Sequence, residues 1–121
     1  MNRCLDVVNG NSAQGTPTQI WECNGSASQE WFLSVHGELR STLAPNRCLD
    51  VTGGKTTPGT RVQIWECNGT ASQKWTISNG EVRSAQGSNL CLDVANAGSA
   101  PGTAVQIWDC NRSAAQKWTR F

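Results

Sequence analysis

The chain has 121 residues, enough for one small domain with a core of its own. Its net charge is +1 and 16% of its residues are charged, which excludes a nucleic-acid or anionic-membrane partner held by bulk electrostatics. No apolar run reaches the length of a membrane-spanning helix, and Met1 leads almost directly into patterned sequence, as expected of a mature or excised module given a start codon.

In chain order, Cys4-Leu5-Asp6-Val7 alternates as a strand does, with Leu5 and Val7 facing one way and Asp6 the other. A turn-rich stretch, Asn9-Gly10-Asn11-Ser12, follows. Gln19-Ile20-Trp21 is a second strand, in which Gln19 and Trp21 share the side opposite Ile20. Trp31-Phe32-Leu33 alternates again and places Trp31 and Leu33 on one side. His36-Gly37 reads as a hairpin turn into a short strand, Glu38-Leu39-Arg40-Ser41. The same series then recurs. Cys48-Leu49-Asp50-Val51, the turn Thr52-Gly53-Gly54, Gln63-Ile64-Trp65, a strand from Trp75 to Ile77, the turn Asn79-Gly80 and the strand Glu81-Val82-Arg83-Ser84 make the second copy. Cys91-Leu92-Asp93-Val94, a Gly-, Ala- and Pro-rich turn over 97–102, Gln106-Ile107-Trp108 and a closing Gln116-x-Trp118 make the third. No segment carries a helical apolar stripe.

The copies are offset by 44 and 43 residues, over approximate ranges 1–37, 38–80 and 81–121 of a single domain. An all-β unit of this length, present three times, has few solutions. A propeller needs at least about four blades, and a solenoid wants distinct polar caps, whereas the end copies here are alike. Closure into a threefold barrel capped by hairpins, the β-trefoil, fits best. The strands before Cys48 and Cys91 have no counterpart before Cys4 or after Trp118, so twelve strands become eleven, or the last is replaced by something else. The unfilled position predicts a gap, a looser N-terminal region, or a partner chain that fills it, a second copy included.

The six cysteines fall at 4 and 23, 48 and 67, and 91 and 110, always 19 apart. A repeat that satisfies itself the same way each time pairs them within each copy, 4–23, 48–67 and 91–110. Three bridges in a small domain indicate an oxidising compartment. Metal binding is the rival, but there is no Cys-x-x-Cys and His36 is the one histidine.

A pyranose offers an apolar C–H face and an edge of hydroxyls, so its site needs a flat aromatic and fixed hydrogen-bonding groups. Each copy supplies Asp, Gln, Trp, Asn and Gln: Asp6, Gln19, Trp21, Asn24 and Gln29; Asp50, Gln63, Trp65, Asn68 and Gln73; Asp93, Gln106, Trp108, Asn111 and Gln116. A carboxylate accepts hydroxyl protons, and amides both donate and accept.

Cys-Leu-Asp-Val, then Gln-Ile-Trp-acid-Cys-Asn, then Gln-x-Trp, all in triplicate across the whole chain, resembles the ricin B-type lectin domain, known in microbial enzymes as carbohydrate-binding module family 13. The resemblance implies a β-trefoil with up to three shallow sugar pockets and no catalysis or cofactor. It implies sugar-binding aspartates at Asp6, Asp50 and Asp93 and stacking indoles at Trp21, Trp65 and Trp108. It also implies ligand contact from Asn24, Asn68 and Asn111, and glutamines at Gln29, Gln73 and Gln116 that hydrogen-bond and buttress the aspartates. Many members carry Asn just before that glutamine; here stand Ser28, Ser72 and Ala115, which weakens the third pocket most.

Each residue has a plainer reading. Trp31, Trp75 and Trp118 read as core. Trp21, Trp65 and Trp108 are sugar platforms or lids over the neighbouring disulfide. Each Asp either meets ligand or caps a turn, and Gln19, Gln63 and Gln106 serve ligand or strand backbone. Glu22, Glu66 and Asp109 read as solvated edges, and His36 as an ordinary turn residue. Asn24, Asn68 and Asn111 also head N-glycosylation acceptor patterns, whose glycans would crowd the pockets; this favours a secreted bacterial protein. The function expected is non-catalytic binding of carbohydrate, with galactose or lactose, xylan or β-glucan as candidates and a glycoside hydrolase as a companion domain in a parent chain. The alternative is a protein-interaction trefoil of cytokine or inhibitor type; a unique exposed apolar loop would mark it, and the sequence displays none. An enzyme is disfavoured, since glycosidases need two carboxylates about one bond and each pocket offers one.

Overall fold

A computed structural model describes residues 3–87 and 89–119. Ten strands lie among them: β1 (Arg3–Val7), β2 (Thr18–Glu22), β3 (Trp31–Leu33), β4 (Leu39–Ser41), β5 (Arg47–Val51), β6 (Val62–Glu66), β7 (Trp75–Ser78), β8 (Glu81–Ser84), β9 (Leu90–Val94) and β10 (Val105–Asp109). All pairs are antiparallel, in sheets ordered β3-β4-β5-β6, β7-β8-β9-β10 and β1-β2. The remaining regular structure is single 3-10 turns, among them Ala27–Gln29, Ala71–Gln73 and Ala114–Gln116.

The alternation foreseen from sequence builds the core. Leu5, Val7, Ile20, Leu49, Val51, Val62, Ile64, Leu92, Val105 and Ile107 are all buried. Trp31, Trp75 and Trp118 are core residues, and each indole N–H donates to a backbone carbonyl, of Leu5, Leu49 and Leu92, at 3.0, 3.0 and 3.1 Å. A buried indole needs such a partner, which anchors each Gln-x-Trp to the strand that begins its own repeat.

Threefold closure comes from a reciprocal grip between repeats. The Ile20, Ile64 and Ile107 amides donate to Thr103, Thr16 and Thr60 carbonyls at 3.0 Å each. In return the Gly102, Gly15 and Gly59 amides donate to the Ile20, Ile64 and Ile107 carbonyls at 2.7, 2.9 and 2.7 Å. The disulfides are Cys4–Cys23, Cys48–Cys67 and Cys91–Cys110, one per repeat. Glu38 lies near the second of these, but both sulfurs there are in the bridge and none is left to ligate a metal.

One expectation needs correcting. Leu33 and Ile77 do not follow Trp31 and Trp75 into the core: they are 48% and 36% exposed, because burial reaches only the first residue of β3 and of β7. With Phe32 at 52% and Val35 at 96%, Leu33 forms an exposed apolar hairpin that the sequence did not advertise. Among the described residues there are ten strands where eleven were expected. The β1-β2 sheet has no counterpart of β4 or β8 among the described residues, and residues 118 and 119, which match the starts of β3 and β7, lie outside any ladder, the rest of that expected strand lying outside the described residues. A strand forms only with a mate, and its mate would be the strand missing before Cys4. Trp118 nonetheless keeps its place, its amide donating to Gly80 as the Trp75 amide donates to Gly37, both at 2.8 Å.

The third repeat puts side chains at two left-handed positions that are glycine in the others. One is Ala97 (φ 53°), where Gly10 and Gly54 stand at 59° and 63°. At the other, Gly25 and Gly69 take left-handed φ of 72° and 74°, and Arg112 holds the same position at 61°. A side chain there costs about 1 kcal/mol, so Arg112→Gly is expected to stabilise the fold by about that amount. A raised urea midpoint with unchanged slope is the check.

Candidate functional site

Register decides what shares a face. In each repeat the first two strands pair so that Asp6 lies opposite Gln19, Asp50 opposite Gln63 and Asp93 opposite Gln106. Two residues along, Cys4 lies opposite Trp21, Cys48 opposite Trp65 and Cys91 opposite Trp108. The outer face of each strand pair therefore carries carboxylate, amide, indole and disulfide together, while Leu and Ile face the core.

The carboxylate is held at the floor. Asp6, Asp50 and Asp93 are 5%, 6% and 6% exposed. The Gln Nε2 donates to Asp Oδ2 at 2.7 Å in the first repeat, 2.9 Å in the second and 2.7 Å in the third. Ser28 and Ser72 donate to the other oxygen, Oδ1, at 2.8 Å each. These hydroxyls in turn share a hydrogen bond with Ser26 and Thr70 at 2.9 Å. At Ala115 there is no hydroxyl to do this, so Asp93 is fixed at one oxygen rather than two. A carboxylate has about four acceptor positions, so even the doubly held ones keep about two for a ligand.

The buttress is thus Gln19, Gln63 and Gln106, not the glutamine expected from the family pattern. Gln29, Gln73 and Gln116 turn to backbone instead. Their Oε1 accepts the amides of Asn24, Asn68 and Asn111 at 2.8, 2.9 and 2.8 Å, and their Nε2 donates to the carbonyls of Glu22, Glu66 and Asp109 at 2.8, 2.9 and 2.9 Å. Gln73 and Gln116 are fully buried and shape the loop. The physical reason is the 3-10 turn, which aims these side chains back under the loop of residues 22–24 and its equivalents. Asn24, Asn68 and Asn111 are exposed; their Oδ1 accepts the amide two residues on at 3.0, 3.1 and 3.0 Å, leaving the Nδ2 donors for a hydroxyl. Glu22, Glu66 and Asp109 are solvated edge residues and His36 is exposed in its turn, as expected.

Trp21, Trp65 and Trp108 are 40%, 38% and 42% exposed. Each has one edge facing a turn of a neighbouring repeat: an added Cβ at Gly102, Gly15 and Gly59 would lie 3.8, 3.5 and 3.6 Å from Cζ3 of Trp21, Trp65 and Trp108. Each indole is therefore flanked at one edge and presented at once.

The second repeat opens a cleft of about 530 Å³ around Asp50, Gln63, Trp65, Asn68 and Ser72. The third opens one of about 370 Å³ around Asp93, Gln106, Trp108, Asn111 and Ala115. In each, the Asp is the one acidic side chain of the wall. Two contributors escaped sequence reasoning. Gln86 forms part of the second cleft's wall, at the position where the first hairpin has Leu43; that exchange of apolar for polar between copies was the available signal. Arg61, from the second repeat, donates to Gln106 Oε1 of the third at 3.1 Å, a pairing 45 residues apart that no local pattern announces.

A threefold β-barrel with a repeated carboxylate–amide–indole cleft defines the class of sugar-binding β-trefoils. The model of the ricin-type beta-trefoil lectin domain matches residues 1–118, and the chain belongs to that family. Among solved structures it is similar to the designed threefold symmetric protein ThreeFoil, at 25% identity over 96% of this chain and 88% of that one, with a TM-score of 0.85. It is similar to the β-trefoil lectin of the Vibrio vulnificus hemolysin/cytolysin solved with N-acetyl-D-lactosamine, at 27% identity over 98% and 84%, TM-score 0.75. It is also similar to part of 1,3Gal43A, an exo-β-1,3-galactanase from Clostridium thermocellum, at 27% identity over 95% of this chain but 26% of that one, TM-score 0.83. The fold and family support carbohydrate binding as the chain's activity.

Proposed function

We propose that this chain is a non-catalytic carbohydrate-binding module that grips a polysaccharide or glycan-coated surface through up to three clefts at once. The observation that carries this is the carboxylate held by Gln beside a half-exposed indole, present in all three repeats. A single shallow cleft binds a sugar at about the millimolar level, near −4 kcal/mol; linkage on one scaffold raises avidity by about 10²-fold where spacing allows. Galactose-type sugars, xylan and β-glucan are the candidate ligands, and the Vibrio lectin's bound N-acetyl-lactosamine supports the first. The galactanase supports carriage on a glycoside hydrolase. Three disulfides suit an extracellular setting, and glycans on the acceptor patterns at Asn24, Asn68 and Asn111 would crowd the clefts, which suits a bacterial one. A glycan array followed by titration with soluble polysaccharides tests the reading; a folded chain that retains no glycan overturns it.

The third cleft should be the weakest, because Asp93 is pre-organised by one hydrogen bond fewer. In a background with Asp6→Ala and Asp50→Ala, Ala115→Ser is expected to raise sugar affinity about threefold, roughly the worth of one modest hydrogen bond. Chemical-shift titration with the array's best monosaccharide measures it.

A second reading, association with another copy of the chain, is favoured by the exposed Phe32, Leu33 and Val35. By the threefold pattern of Gly37 with Trp75 and Gly80 with Trp118, the tip of a third hairpin would meet Trp31, next to these residues. Sedimentation velocity at rising concentration separates the two: a monomer throughout disposes of the association.

A further inference from the structure

The three loops that follow the aspartate strands are not equivalent. Residues 8–17 and 95–104 carry no charge, whereas the matching stretch 52–61 carries two cations, Lys55 and Arg61. Their counterparts are Asn11 and Pro17 in the first copy and Gly98 and Ala104 in the third. Lys55 and Arg61 line one groove of about 430 Å³ together with Thr57 and Gly59. Thr52 lines both this groove and the second sugar cleft, so the two are neighbours on either side of that residue. The far end of the groove reaches the third repeat, where Gly59 backs Trp108 and Arg61 holds Gln106.

The groove is fixed in place rather than being a loose loop with charges on it. Gln86 Nε2 donates to the Lys55 carbonyl at 3.1 Å, Gly59 N–H donates to the Ile107 carbonyl at 2.7 Å, and the Arg61 guanidinium is oriented by Gln106 at 3.1 Å. One Arg61 donor engages Gln106, and a guanidinium has five. Both cations are exposed, and neither belongs to the ion pairs formed among the described residues, Arg40–Glu38 and Arg83–Glu81.

We propose that this groove is an anion subsite of the second cleft, which receives the carboxylate of a uronic acid substituent on the glycan whose neighbouring sugar sits between Asp50 and Trp65. The inference rests on the sugar-binding reading of that cleft. Arg61 presents a planar fork suited to a carboxylate, and Lys55 adds a point charge on a flexible stem. An isolated exposed pair is weak, so the subsite selects among glycans already held by the cleft instead of capturing anions alone.

The test uses two polymers, each native and after carboxyl reduction, which turns every uronate into a neutral hexose on the same backbone: a glucuronoxylan and a glucuronate-bearing arabinogalactan. Affinity electrophoresis in native gels reads binding of the intact chain and of Lys55→Glu, which alters an exposed side chain outside the sugar cleft. The expected result is that at least one native polymer is bound about three- to tenfold more tightly than its reduced form, that the difference fades in 0.5 M salt, and that Lys55→Glu removes it while leaving affinity for the reduced polymer unchanged. Equal binding of native and reduced polymer, or a preference that survives Lys55→Glu, overturns the subsite and leaves the sugar-binding reading standing. Binding of neither form of either polymer, in a chain that the glycan array shows to bind neutral sugars, also overturns it; loss of all glycan binding overturns the broader reading instead.

Discussion

Replacing Asp6, Asp50 and Asp93 together by alanine is expected to abolish retention on polysaccharide while the chain stays folded. Each carboxylate sits at the floor of its cleft, nearly buried, with Gln Nε2 on one oxygen. Removing it takes away the charged acceptor for sugar hydroxyls, and hydrogen bonds to a charged group are worth about 1.5–3 kcal/mol. A site near −4 kcal/mol cannot lose that and remain useful. Any one of the three changes alone should lower apparent affinity only in part, because two clefts still contribute to avidity. Asp50→Ala should cost the most, since the second cleft keeps both holding groups, Gln63 and Ser72, and has Gln86 in its wall. The fold should survive, since the freed Gln and Ser groups open onto water. Pull-down on insoluble polysaccharide, beside a circular dichroism check of folding, decides it: undiminished retention by a folded triple variant would remove the carboxylates from the mechanism.

Removing one disulfide should be the most damaging change to stability. The Cys48–Cys67 bridge closes a loop of separation 19, with Cys48 fully buried. Cys48→Ala with Cys67→Ala is expected to cost about 3 kcal/mol, chiefly by freeing the unfolded chain. A domain holds about 5–15 kcal/mol in all, and three such bridges together are worth about 9 kcal/mol. Full reduction of all three bridges should therefore leave no cooperative unfolding transition at 37 °C. Urea titrations of the oxidised, double-variant and reduced proteins measure this; a double variant within 1 kcal/mol of the parent would show that the barrel stands without its bridges.

The barrel was legible because its signals are local and repeated. Leu5 and Val7 against Asp6, and Ile20 against Gln19 and Trp21, alternate within a few residues, and the strands bury the sides that alternation names. The cysteine pairs followed from copying alone. What failed to show in the sequence depends on contacts beyond a strand. Leu33 shares a side with Trp31, but the hairpin leaves the barrel before reaching it, and parity carries no information on where a core ends. Gln19 and Gln29 are both amides near Asp6; only the 3-10 turn at Ala27–Gln29 decides that the first holds the carboxylate and the second the backbone. Ser28 looked like a loss beside the commoner Asn, yet its hydroxyl reaches Asp6 at 2.8 Å. Arg61 on Gln106 joins different repeats, and pseudo-symmetry, which suggests equivalence, argues against looking for it.

The turn beside each indole changes what one repeat means. Trp21 faces Gly102, Trp65 faces Gly15 and Trp108 faces Gly59, so every platform has its neighbour's turn at one edge. A single repeat cut from this chain would own a carboxylate and a tryptophan but not the neighbouring turn beside the ring, so each platform is complete only when three repeats close on one another.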